Sequence, residues 1–136
     1  MTQFLKVTDQ FSVSPQITLA DMAGAAEQGF VLVINNRPDG EDPSQPSSAQ
    51  MQTAAEAAGL GYVHIPVVGG PTPDQVEQVR QTIDQTDGPV LAFCRSGTRS
   101  IVTWSIGQAL SGERTPAELI GLGAVAGYDL SSVLRR

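Results

Sequence analysis

Apolar positions along the chain fall into short unbroken runs separated by segments of helical pattern. Phe11-Ser-Val-Ser14 reads as a short strand. Thr18 and Asp21 form a capping-box pair that opens a helix, and Gly29 closes it. Phe30-Val-Leu-Val-Ile-Asn35 is a continuous apolar run, the kind buried on both faces of a parallel sheet. Asn36 to Ser47 holds three prolines and a glycine and reads as a loop. Ser47 or Ser48 caps a helix that ends at Gly59, and Tyr62-Val-His-Ile-Pro66 is the next strand. Val67 to Pro71 forms a second loop with Gly69-Gly70 as a hinge. Thr72 then caps a helix with Pro73 at its first position and Asp74 in its first turn, running to about Thr86. Asp87-Gly88 turns the chain into an apolar strand that ends at Cys94. Helices follow from about Arg99 to Leu110, from Thr115-Pro116, and over a short stretch near Tyr128 to Leu134.

Strand-helix alternation of this kind predicts an α/β fold, a central, mostly parallel sheet flanked by helices. The chain reads as a single domain over residues 1–136, long enough to bury roughly two-thirds of its unfolded surface. In such sheets ligands bind beyond the carboxyl ends of the strands. Three loops leave strands at that end: Asn36–Asp39, Val67–Pro71 and Cys94–Arg99.

Charge and composition narrow the partners. The net charge of -6 and the pI of about 4.5 argue against nucleic acid and anionic membrane, so an anionic ligand needs a local basic patch. Met1-Thr-Gln-Phe-Leu-Lys6 lacks the basic start and apolar core of a secretory signal. One cysteine allows no internal disulfide, which fits a reducing cytoplasm, and one Cys with one His makes no ordinary four-ligand zinc site. No metal or organic cofactor is implied.

The one cysteine carries the chemistry. Cys94-Arg-Ser-Gly-Thr-Arg-Ser100 links a buried strand to a helix start. A helix start presents unpaired N–H groups and partial positive charge. Gly97 permits a tight turn in which the N–H groups of Arg95, Ser96, Gly97, Thr98, Arg99 and Ser100 point inward as an anion nest. Arg99 adds a guanidinium that grips an oxyanion through two bonds. All of this favours a thiolate, so Cys94 is the candidate nucleophile, with attack on phosphorus or sulfur. A free cysteine can equally be a small buried hydrophobe, but packing gives no reason for Gly at +3, Arg at +5 and a helix start together.

Other candidates have a plainer role beside the chemical one. Asp74 and Asp39 are the candidate general acids for a leaving alkoxide. Asp74 also suits the first turn of a helix, and Asp39 suits the turn Arg-Pro-Asp-Gly. Arg37 adds charge at the mouth, or is a solvated loop residue. Arg95 touches ligand or points to solvent. His64 and Tyr128 are packing residues first.

The Cys94 segment resembles two groups of cysteine enzymes. Protein tyrosine and dual-specificity phosphatases place five residues between cysteine and arginine; here there are four, and Phe93 stands where those phosphatases usually have histidine. That spacing is similar to rhodanese-type sulfurtransferases. Val13-Ser-Pro-Gln16, Val33-Ile-Asn-Asn-Arg-Pro-Asp-Gly40, Tyr62-Val-His-Ile-Pro-Val67, the Cys94 loop and Ala126-Gly-Tyr-Asp129 occur in that order over nearly the whole chain. Together they resemble the phosphatase-like domain of the beta-lactamase-hydrolase-like protein family. The resemblance implies a dual-specificity-phosphatase-like fold and an activity described for that family both as phosphatase-like and as sulfur transfer in sulfide metabolism. Ser100 resembles the hydroxyl residue that stabilises the leaving thiolate in phosphatases.

The leading expectation is a cysteine-dependent hydrolase of phosphate monoesters, working through a thiophosphate on Cys94 and acting on a small anionic substrate or a phosphorylated protein. The alternative is a sulfurtransferase that carries a persulfide on Cys94 between a sulfane-sulfur donor and a thiol acceptor. The third is an anion-binding or redox-sensing module without turnover.

Overall fold

Every residue of the strand Val90–Phe93 is buried, and this strand occupies the middle of the sheet. Its four apolar side chains alternate between two cores. Val90 and Ala92 face one, and Leu91 and Phe93 face the other. A strand of this composition is stable only with both faces covered.

The computed structural model describes residues 2–134. The elements, in chain order, are β1 (Leu5–Thr8), β2 (Phe11–Ser14), α1 (Asp21–Glu27), β3 (Leu32–Asn35), α2 (Ser48–Ala57), β4 (Gly61–His64), α3 (Pro73–Gln85), β5 (Val90–Phe93), α4 (Thr98–Ser111), α5 (Pro116–Ala126) and α6 (Ser131–Leu134). The sheet order is β1-β2-β5-β3-β4; only β1 is antiparallel to its neighbour. The expected α/β architecture with a mostly parallel sheet is therefore what the chain adopts.

Strand β1 is absent from the pattern-based expectation. It is a four-residue edge strand that pairs with β2 through an irregular register between Lys6 and Thr8. An edge strand carries little of the apolar signature that marks buried strands. Strand β3 starts at Leu32, two residues into its apolar run, although Val31 already bonds on both sides: its N–H donates to Pro89 O and its carbonyl accepts from Gly61 N. The bonds of the predicted Thr18–Asp21 box form in both directions, at 3.1 and 2.9 Å, but they close a turn, and the regular helix starts at Asp21. Ser47, Thr72 and Thr115 each form complete capping boxes with a Gln or Glu three residues later.

The two cores lie on opposite faces of the sheet. Met22 and Ala25 of α1 and Met51 and Ala55 of α2 pack with Val33, Leu91 and Phe93. Val79 of α3, Ile101 and Trp104 of α4, and Leu119 of α5 pack with Val13, Ile34 and Ala92 on the other face. Trp104 stacks on Phe11 with ring centroids 4.9 Å apart. The helix after β3 thus covers one face and the helix after the adjacent β5 covers the other. This switch of face between neighbouring strands marks the carboxyl end of β3 and β5 as the place where a doubly wound sheet binds ligands. Among the described residues no helix is long and apolar enough to cross a membrane.

Candidate active site around Cys94

Cys94 is the first residue past β5, at this end of the sheet, and is 1% exposed. The chain then turns through Gly97, whose φ of +89° lies in the left-handed region that favours glycine. The Gly97 N–H points back at the cysteine and donates to Sγ over 3.1 Å. A Cβ at Gly97 would also overlap the Tyr128 hydroxyl, which closes over the loop and donates to Ser96 O at 2.8 Å. Burial raises the Tyr128 phenol above its ordinary range, and negative charge at Cys94 adds to that. Helix α4 begins at Thr98, one residue earlier than the pattern indicated and directly after Gly97; the Thr98 N–H is taken by Ser96 Oγ at 3.4 Å.

The three loops expected at this end of the sheet do converge. Arg99 donates through Nη1 to the carbonyl of Val67, from the loop after β4, at 2.8 Å. Ser100 is buried and donates from Oγ to Asn36 Oδ1, from the end of β3, at 2.8 Å. Asn36 in turn donates from Nδ2 to Ile65 O at 2.9 Å, which ties the loops after β3 and β4 together. The Arg95 and Ser96 side chains are exposed on the outer side of the turn, and the Ser96 hydroxyl bonds to Thr98 Oγ1. Gln16, just beyond β2, clamps the Arg95 carbonyl with its own N–H at 3.2 Å.

Glu41 is the residue that pattern reasoning missed. It lies in the proline-rich loop, where composition signals irregular structure and nothing more. Its carboxylate accepts from Arg99 Nη1 and Nη2, both at 2.8 Å, and from Arg37 Nε at 2.9 Å. The bond from Arg99, helped by Arg37, holds its carboxyl down at about 2. The same pair raises Arg99 above the ordinary arginine range, and charge at Cys94 contributes to that rise. The one sequence hint was the i,i+4 spacing of Arg37 and Glu41 in a charge-poor chain.

The remaining candidates divide. Arg37 is not a solvated mouth residue: it is 5% exposed, and its Nη1 donates to Gln16 Oε1 at 3.0 Å. His64 Nε2 bonds to the Arg37 carbonyl at 2.8 Å, on the structural side of the site. Asp39 Oδ1 accepts from Ser48 N at 2.7 Å, at the start of α2. Asp74 is exposed in the first turn of α3, just past the loop whose Val67 carbonyl holds Arg99.

A buried thiol at the end of a central parallel strand, facing the start of a helix beside an arginine, on this sheet topology, defines a protein-tyrosine-phosphatase-like α/β domain. Comparison with known proteins agrees. The chain matches the family model described as beta-lactamase hydrolase-like protein, phosphatase-like domain, over residues 3–111, and it belongs to that family. It is 35% identical over 133 residues to the beta-lactamase hydrolase-like protein of Agrobacterium fabrum, a match that spans 96% of this chain and 31% of that protein. The Xylella fastidiosa protein of the same name is 33% identical over 129 residues, 94% of this chain and 30% of the relative. The chain thus spans about a third of the length of these relatives. Among solved structures, a candidate phosphatase from Neisseria meningitidis is 39% identical, with a TM-score of 0.84 over 94% of this chain and 91% of that one. Tk-PTP in its active form shares the fold at a TM-score of 0.74 and 17% identity, covering 93% of this chain and 86% of that one.

Proposed function

We propose that this domain is a cysteine-dependent hydrolase of phosphate monoesters. The observation that carries this is the Gly97 N–H aimed at the Cys94 sulfur, with Arg99 and the first turn of α4 alongside. In the proposed reaction the Cys94 thiolate attacks phosphorus, an S–P bond forms, and the bond to the leaving oxygen breaks. Arg99 and the backbone N–H groups of the loop hold the equatorial oxygens as charge builds on them. Asp74 is the proposed proton donor to the leaving oxygen, since the loop before it is already bonded to Arg99. Water then attacks the thiophosphate, inorganic phosphate departs, and the thiolate returns. Ser100, at the start of α4, is the proposed hydroxyl partner of the departing thiolate; its O–H is donated to Asn36 Oδ1 in the resting site and turns to the sulfur as the thiolate leaves.

Sulfur transfer is the alternative, favoured by the four-residue spacing between Cys94 and Arg99. There the thiolate attacks the outer sulfur of thiosulfate, the S–S bond breaks and sulfite leaves with the electron pair. An acceptor thiolate then removes the outer sulfur from the Cys94 persulfide. Sulfite needs no proton to leave, so Asp74 has no part in this step.

A paired experiment separates the two. Aryl phosphate hydrolysis is followed in the wild type and in Cys94→Ser, and intact mass is recorded after incubation with thiosulfate. Hydrolysis that disappears in Cys94→Ser supports the hydrolase. A gain of one sulfur atom on Cys94 without hydrolysis replaces it with the transferase. Hydrolysis that survives in Cys94→Ser removes the thiophosphate mechanism.

A further inference from the structure

Arg99 has five N–H donors, and the structure shows where three of them go. Both hydrogens of Nη1 are engaged, one by Val67 O and one by Glu41 Oε2, each at 2.8 Å. One hydrogen of Nη2 is engaged by Glu41 Oε1 at 2.8 Å. The Glu41 contact is therefore end-on, across the two terminal nitrogens. What is left is the side edge of the guanidinium: Nε–H and the second Nη2–H, which lie parallel on the same side. Among the described residues no protein oxygen accepts from that edge.

We infer that Glu41 is the positioning residue of this site: it fixes the Arg99 guanidinium so that the Nε–Nη2 edge grips the substrate oxyanion side-on. This deepens the oxyanion-site reading above and rests on it. Glu41 is itself braced. Arg37 donates to its Oε1 from a buried position, and Gln16 Oε1 holds Arg37 in place. The backbone N–H of Gln16 also holds the Arg95 carbonyl of the cysteine loop. The chain Gln16–Arg37–Glu41–Arg99 thus ties the guanidinium and the N–H nest to one frame. An arginine free to rotate loses rotamer entropy each time it binds an anion; one already clamped on its far edge does not.

The opposite role is open to a carboxylate in that place. Glu41 would then be an internal competitor that occupies the arginine until substrate displaces it. The two roles predict opposite signs. If Glu41 positions Arg99, Glu41→Gln weakens tungstate binding by roughly three- to tenfold in calorimetry, the range expected for one long side chain left to be ordered on binding. If it competes, Glu41→Gln binds tungstate more tightly, and the proposal is overturned.

Side-chain nitrogen NMR of Arg99, assigned through Arg99→Lys, reads the clamp without any ligand. Hindered rotation about Nε–Cζ gives separate Nη resonances in the wild type and averaged ones in Glu41→Gln. Averaged resonances in the wild type overturn the proposal. Gln16→Ala, outside the anion-contacting residues, is the second variant should Glu41→Gln unfold, and it is expected to loosen Arg99 in the same sense. A wild type that shows the clamped guanidinium but binds no tungstate removes the oxyanion site while leaving the clamp intact.

Discussion

Ser100 and Asn36, 64 positions apart in sequence, are joined by a 2.8 Å hydrogen bond between two buried side chains. The bond joins the start of α4 to the end of β3, and the same asparagine reaches on to Ile65 O. Ser100→Ala leaves Asn36 Oδ1 buried without its donor, which costs about 1–3 kcal/mol. Urea denaturation of Ser100→Ala and wild type checks this. Equal stabilities would mean that water or a shifted asparagine replaces the bond.

Gly97→Ala meets two obstacles at once, a φ of +89° and the Tyr128 hydroxyl. The backbone conformation alone is worth roughly 1–2 kcal/mol against a non-glycine residue. Gly97→Ala is expected to lower the unfolding midpoint and to abolish tungstate binding, because the N–H that points at Cys94 moves. Combining it with Tyr128→Phe removes the oxygen and restores part of the stability. No recovery at all would place the whole penalty on the backbone.

Glu41 sets an acid limit on the site. Its carboxyl lies at about 2 in the folded protein against 4.5 for a free side chain. A carboxyl lowered by folding stabilises the protein fully above its unfolded value, and that contribution drains away as pH falls through the folded value. The stability gap between wild type and Glu41→Gln should therefore be constant above pH 5 and shrink steadily towards pH 2. Denaturation series at fixed salt measure it. A gap that does not change with pH would show that Glu41 is not ionised through these contacts.

Asp74 and Asp39 part ways under substitution. Asp74→Asn is expected to slow hydrolysis of alkyl phosphates by about 100-fold or more, the usual scale for losing a positioned acid, and to leave esters of acidic phenols nearly unaffected. Asp39→Asn keeps an oxygen that accepts from Ser48 N, so its turnover should match wild type for both. Rates against leaving-group basicity decide it, and a steep dependence already present in the wild type would remove Asp74 as the acid.

The elements with strong local signals were legible in the sequence. Val90 to Phe93 is apolar at every position, so only a strand covered on both faces accommodates it. Thr72-Pro73 and Thr115-Pro116 carry their caps within four residues. Cys94, Gly97 and Arg99 could be placed together because strand end, turn and helix start are local features. The edge strand Leu5–Thr8 was not legible, since a strand with one neighbour and one exposed edge needs little apolar patterning. Glu41 was not legible either. It sits among prolines in a loop, and its importance comes from Arg99, whose bond to it spans 58 positions.

Capping, periodicity and glycine conformation act over a few residues, so the alternation of strands and helices, the thiol at a strand end and the loop that follows it are written in local sequence. Which groups surround that thiol depends on how the elements pack. The helices after β3 and β5 cover opposite faces of the sheet, and the loops that lead to them meet at its carboxyl end. It is there that Asn36, Arg37, Glu41 and Val67 meet the Cys94 loop, through hydrogen bonds and charge pairing whose short range makes proximity in space, rather than in sequence, the deciding variable.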